Sequence, residues 1–425
     1  MIIERQQNLS SDKIYWGKII ADLLIFLIFP PIVGLPYIII KTIQLNKNAR
    51  YSDYLSFMIC LAFYFGAINA TKEPDGDQIQ YYVAYMNVPK QGFLGSLINI
   101  YGIQQSWEDV RTNISGEFMI GVYNYIGYYS TFGYYPLFAA LITIANYIFN
   151  FLAIYKIANT LKKPHIPIIF GTLILSFFYL YFQYILQIQK QFLAQSMTMY
   201  VLASYAVSGR LKKKDWCLMI MAVFTHASTL LFVPLILYKP LRNRLNKRSI
   251  LFLCVVFSAL IVMGPSLVGN IASDVETSVL TYGVNRFANS EGSSDGGTLV
   301  LSQILVIGLP IALIVLKKLW IDRKYVNVIQ AFILNVILLL LLTVASMYNQ
   351  PLAQYRYFMM IIAFMPHAYF FISNSVKARD CILKIIAFVM IVWFYYQFEK
   401  IIWNFAPETD IIIKSPILLL FGNYY

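Results

Sequence analysis

The stretch KKLWIDRKYVNVIQAFILNVILLLLLTVAS, residues 317–346, shows how the whole chain is to be read. Lys317, Lys318, Arg323 and Lys324 crowd its start, and the run from about 325 to 346 carries no charge. A helix rises about 1.5 Å per residue, so roughly 20 apolar residues cross a hydrocarbon core about 30 Å thick. The alternation recurs. Other basic clusters hold Lys41, Lys47 and Arg50; Lys156, Lys162 and Lys163; Arg210 and Lys212 to Lys214; Lys239, Arg242, Arg244, Lys247 and Arg248; and Lys377, Arg379 and Lys384. Together the six contain two-thirds of the 33 Lys and Arg. Short loops rich in Lys and Arg stay cytoplasmic, so the clusters orient the helices between them. They leave Lys190, Arg286 and Arg356 on the opposite face, where a cation needs another explanation.

Composition agrees. The chain is 59% hydrophobic and 12% charged, where soluble domains are about 25% charged, and its mean hydropathy is +0.63. It reads as an all-α polytopic integral membrane protein, one membrane domain over residues 1–425. A barrel would show alternating segments of about ten residues. The net charge of +13 is largely the cytoplasmic bias, in loop-sized clusters rather than a continuous stripe, and does not point to nucleic acid. Cys60, Cys217, Cys254 and Cys381 show no CxxC spacing and imply neither disulfides nor zinc. The first apolar run, from about Ile19, is too long for a cleavable signal peptide.

Spans are expected at about 19–41, 53–70, 134–157, 166–184, 191–208, 250–270, 299–317, 325–346, 357–376 and 382–402, giving about 10–12 crossings once breaks are allowed. Residues 216–238 lie between two basic clusters yet offer one span's length. A single crossing would put Lys239 to Arg248 outside and reverse every later loop. A re-entrant pair of half-helices turning near Thr225-His226-Ala227-Ser228 keeps all clusters inside, provided protein or a water-filled cavity solvates the non-helical backbone. The re-entrant form is the expectation. Pro30-Pro31 and Gly34-Leu35-Pro36 likewise allow the first run to break. Two segments then face outward, about 71–133 and 271–298, the second ending in a Ser/Gly-rich stretch typical of mobile loops. No inverted repeat of the transporter kind is evident.

Asp75-Gly76-Asp77, followed by Tyr81, Tyr82 and Tyr85, begins as a span ends. Carboxylates accept sugar hydroxyls and aromatic rings pack on apolar faces, although a solvated loop with an interfacial aromatic belt has the same composition. The DxD spacing also occurs in metal-dependent glycosyltransferases, but here it is on the wrong face for nucleotide sugars. Lys190 sits among Gln187, Gln189 and Gln191 between two spans, where a cation must be solvated, paired or used, or else snorkel to headgroups. His226 lies at the expected break; histidine titrates near neutrality and can take a proton from a hydroxyl, though a lone membrane histidine more often packs through a hydrogen bond. His367, beside Pro366 in mid-span, fits packing, and His165, flanking a basic loop, reads as surface. Arg356 opens a span between Tyr355 and Tyr357; its planar fork matches phosphate oxygens, and an interfacial anchor is the plainer use. With Lys190, Arg286 and Arg111 it would make a metal-free pyrophosphate clamp that offsets charge on a leaving group.

These segments, in this order, resemble the EpsG/Wzy-type family of exopolysaccharide and O-antigen polymerases. The likeness rests on Gly76-Asp77 to Tyr81, on Glu117-Phe118 opening an amphipathic stretch, on Ile188-Gln189-Lys190-Gln191-Phe192-Leu193-Ala194, on Phe224-Thr225-His226-Ala227-Ser228, and on Arg356. It covers most of residues 50–380. Lysine stands at 190 where the family pattern has arginine, which keeps charge but loses bidentate geometry, and Thr225 separates Phe224 from His226. The resemblance implies a GT-C-like glycosyltransferase at the outer face of the bacterial inner membrane, with no metal or other cofactor. It would move a growing glycan from undecaprenyl pyrophosphate onto the non-reducing end of the next lipid-linked repeat unit. His226, Asp75 or Asp77 would activate the acceptor; Lys190, Arg286 and Arg356 would hold the donor; Glu117, Gln191 and Tyr81 would bind substrate. Expected partners are the undecaprenyl-pyrophosphate-linked oligosaccharide and membrane lipids, with a flippase and a chain-length regulator beside them. Two other classes fit the composition. A lipid-linked oligosaccharide flippase or other transporter would line a central cavity with charge, and a membrane O-acyltransferase would need an acyl donor and a histidine-based site.

Overall fold

A computed structural model describes residues 14–98, 117–256, 302–347, 351–400, 405–422 and 424. The segment 271–298 with Arg286, expected to face outward, most of the expected span 250–270, and Arg111 lie outside the described residues. Among the described residues all regular structure is helical, and the protein is an all-α polytopic membrane protein. In chain order the helices are α1 Trp16–Ile28, α2 Pro31–Leu45, α3 Tyr51–Ala70, α4 Asp77–Met86, α5 Val88–Ile98, α6 Met119–Ser130, α7 Tyr135–Ala158, α8 His165–Ser176, α9 Tyr179–Gln187, α10 Gln189–Ser208 and α11 Lys213–Thr225. There follow α12 Phe232–Leu237, α13 Ile304–Ile321, α14 Val328–Ser346, α15 Pro351–Tyr369, α16 Val376–Lys400, α17 Glu408–Ile413 and α18 Pro416–Phe421.

Five of these (α3, α7, α13, α14 and the Val376–Phe398 part of α16) are long and apolar enough to cross a membrane, and α8 with α9, bent by 57°, makes a sixth if counted as one span. The other expected spans depart for physical reasons. The first run breaks at Phe29-Pro30, where proline lacks an N–H and pushes the residue before it out of the helical region; Phe29 is extended at φ −79°, ψ 144°. Residues 216–238 break at the expected turn, with His226 extended at φ −155°, ψ 123°. α10 has a span's length but is rich in amides and hydroxyls. It is buried almost throughout and packs against α7 and α11, so protein rather than lipid meets its polar groups.

The described residues gather into two compact units, one of 14–231 with 375–424, the other of 232–374. In the first, α3 and α7 pack closely: a Cβ on Gly66 would lie 2.8 Å from Ile144 Cγ1 and 3.1 Å from the Ala140 carbonyl oxygen. Small residues let membrane helices approach like this, and Asn69 Nδ2 donates to Thr143 Oγ1 at 3.0 Å across the contact. An aromatic core of Phe65, Phe177, Phe182 and Phe394 joins α3, the α8–α9 bend and α16. His165 is not a surface residue. It is buried, with Nδ1 2.8 Å from the Tyr54 hydroxyl and Nε2 3.1 Å from the Ile43 carbonyl, because α2 and α3 close over it. In the second unit α14 packs against α15, and His367 is enclosed between the Phe364 and Phe370 rings.

Candidate functional site

The site in the first unit is built where two helices break. α9 stops at Gln187, Ile188 leaves the helical region at φ −117°, ψ 44°, and α10 restarts at Gln189. The kink sends neighbouring polar side chains to different partners. Gln187 Nε2 donates to Asp75 Oδ1 at 3.2 Å. Lys190 Nζ donates to Glu117 Oε2 at 2.5 Å, with the two side chains only 7% and 16% exposed.

Glu117 is held there by aromatic and hydroxyl contacts around it. It lies two residues before the start of α6, the Phe118 ring packs on Phe224 at 4.9 Å, and the Tyr123 hydroxyl meets Thr225 Oγ1 at 3.0 Å. Burial raises the Tyr123 phenol above its ordinary pKa, against a smaller opposing effect of the Thr225 hydrogen bond, so the hydroxyl keeps its proton. These contacts fasten the start of α6 to the end of α11. Glu117 Oε1 then lies 3.9 Å from His226 Nε2.

The other nitrogen of His226 is also engaged. Nδ1 accepts the backbone N–H of Ser228 at 3.2 Å and lies 2.7 Å from its Oγ. A backbone amide only donates, so Nδ1 carries the lone pair and the neutral ring carries its proton on Nε2, toward Glu117. The order is hydroxyl, imidazole, carboxylate, ammonium. It parallels the roles of a hydrolytic triad with the two ring nitrogens exchanged. Chemically, such a histidine can take a proton from a hydroxyl at Nδ1 while the carboxylate offsets the positive charge that forms.

A second buried ion pair adjoins the first through the same kink. Lys72, 1% exposed, pairs through Nζ with Asp75 Oδ1 and donates to Gln78 Oε1 at 2.8 Å. Gln78 Nε2 in turn reaches the Tyr135 hydroxyl at 3.4 Å. Burial lowers the Lys72 pKa, and the hydrogen bond and charge of Asp75 oppose the shift. A carboxylate that meets both Lys72 and Gln187 anchors the segment between α3 and α4 to the α9–α10 kink.

A family model described as the EpsG family matches residues 58–406. The chain belongs to the EpsG family. No characterised protein and no solved structure matches it. EpsG membership makes this a polysaccharide-polymerase-like, glycosyltransferase-like multi-pass membrane protein. Of the residues singled out in this EpsG chain, the structure brings Glu117, Lys190 and His226 into one group. Asp75 belongs to the Lys72 pair instead. Asp77 is exposed as the first residue of α4, after Gly76 at φ +49°. Tyr81 and Gln191 are buried, on α4 and α10. Arg356 is half-buried near the start of α15 in the second unit, and Arg286 lies outside the described residues. Lys72 escaped sequence reasoning because a lysine just past a span reads as an interfacial anchor; Asp75 three residues on was the available signal.

Proposed function

We propose that this EpsG protein is a glycosyltransferase that lengthens a polysaccharide at the outer face of the bacterial inner membrane. Its donor is a glycan on undecaprenyl pyrophosphate and its acceptor the next lipid-linked repeat unit. The observation that carries the reading is the Lys190–Glu117–His226 group at two helix breaks in a chain of this family. In the reaction the acceptor hydroxyl replaces Ser228 Oγ at His226 Nδ1 and gives up its proton there. The acceptor oxygen bonds to the anomeric carbon of the donor as the bond from that carbon to the phosphate oxygen breaks, and lipid pyrophosphate leaves with the electron pair. Glu117 offsets the imidazolium charge. Lys190 has three N–H donors, so a phosphate oxygen can share the ammonium with Glu117. Arg286 and Arg356 keep the donor-holding role that the family pattern implies, and Asp77 and Tyr81 the role of acceptor contacts.

The test is the glycan made by cells carrying His226→Gln or Lys190→Met at normal protein levels. Loss of polymer with accumulation of single, outward-facing repeat units is expected. Wild-type chain lengths in both would overturn the reading, and repeat units left facing the cytoplasm would indicate a flippase. The Ser228 Oγ contact with His226 supports one second reading, a membrane O-acyltransferase with an activated serine. That enzyme would leave chain length unchanged and acylation lost in Ser228→Ala.

A further inference from the structure

The second unit carries a cleft of about 530 Å³ lined by Arg244, Lys247, Trp320, Ile321, Arg323 and Lys324. Four of the six lining residues are cations and none is a carboxylate. The cleft is built rather than incidental. Asn335, fully buried on the spanning helix α14, donates through Nδ2 to the carbonyls of Leu241 at 2.7 Å and Asn243 at 3.0 Å, which fixes the segment leading to Arg244. Arg323 Nη2 donates to the Arg244 carbonyl at 3.1 Å, and its Nε is shielded from solvent with no hydrogen-bond partner. Lys247 lies over the Trp320 ring, 5.1 Å from its centroid. The neighbouring carboxylate, Asp322, is committed elsewhere: it accepts from Lys318 and Asn374, each at 3.1 Å. The hydrogen bond from Lys318 holds its pKa below the usual carboxylate value.

Position identifies the ligand. Trp320 and Ile321 end the spanning helix α13 and are 40% and 73% exposed, so an apolar edge adjoins the cations where that helix leaves the bilayer. The flanking clusters are those that charge sorting assigns to the cytoplasm. Crowded like charges with an unmet guanidinium donor call for an anion, and guanidinium groups match phosphate oxygens. A soluble diphosphate would satisfy the cations but leave the apolar edge bare. We propose that this cleft holds the phosphate headgroup of an anionic phospholipid of the cytoplasmic leaflet, its acyl chains lying along α13. Basic pockets at membrane helix ends bind anionic headgroups in this way. The cleft shares no residue with the Glu117 group and does not depend on the polymerase reading.

The experiment is a titration of the purified full chain, in phosphatidylcholine nanodiscs, with phosphatidylglycerol, read by native mass spectrometry. One tightly retained phosphatidylglycerol is expected, weakened about thirtyfold in Arg244→Gln/Arg323→Gln, the factor expected for two surface cations near a phosphate. Lys247→Gln/Lys324→Gln, whose side chains are exposed, should weaken it comparably without threatening the fold. Lys213→Gln/Lys214→Gln, in another basic cluster at the start of α11, should leave it intact. Undiminished retention in both cleft variants, or equal loss in the α11 variant, would overturn the site. Displacement of the lipid by millimolar inorganic pyrophosphate would overturn the lipid assignment.

Discussion

Replacing Lys190 with methionine strands the Glu117 carboxylate inside protein, and the size of that effect can be worked from the geometry. The pair is 2.5 Å apart, with side chains 7% and 16% exposed. Removing one partner of a fully buried pair costs about 3–5 kcal/mol, mainly because the other charge is left uncompensated. Glu117 retains some solvent, so about 2–4 kcal/mol is expected for Lys190→Met and a similar figure for Glu117→Gln. The double variant removes both charges and should cost no more than either single one. The coupling energy is therefore at least about 2 kcal/mol. Equilibrium unfolding of the four purified proteins in mixed micelles measures it. Glycan analysis of the same strains should show all three variants without polymer, because the double change restores folding but not the ammonium. Additive effects, with coupling below about 0.5 kcal/mol, would refute the closed pair. Normal polymer from the double variant would instead leave the group without a catalytic part.

Further outcomes follow from the same structure. Nitrogen-15 spectra of histidine-labelled protein, with only three histidines to assign, should show neutral His226 protonated on Nε2; an Nδ1–H tautomer would sink its assignment as the base. Lys72→Met should cut polymer at least tenfold, and the wild-type activity should fall with rising pH through the lowered Lys72 pKa as the ammonium loses its proton and releases Asp75. Lys72→Arg, charged at every accessible pH, should lose that alkaline limb, and an unchanged profile would count against the Lys72 hub. Gly66→Ala should lower stability by about 1–3 kcal/mol, since its Cβ meets Ile144 and the Ala140 carbonyl; an unaltered melting temperature in micelles would contradict the close α3–α7 contact. A reporter fused after Lys247 should report the cytoplasm, and an external signal there would end the re-entrant reading of 216–238.

The sequence by itself determined the class of molecule and much of its segmentation. Expected spans at 53–70, 134–157 and 325–346 coincide with α3, α7 and α14 to within a few residues, because hydropathy and loop charge act on each segment separately. Charge parity also located the break at His226, and the polar run 187–191 marked the kink at Ile188. Partners were another matter. Lys190 meets a carboxylate 73 residues away, and Gln187 one 112 residues away, and no periodicity encodes such pairings. His165 looked like a surface residue until α2 and α3 closed over it. Lys72 drew no notice in the sequence, and only the fold sets it between Asp75 and Gln78. Local composition decides what a segment can do in a bilayer. Which buried charge neutralises which depends on where the helices break and how closely they pack, and that only the tertiary structure decided.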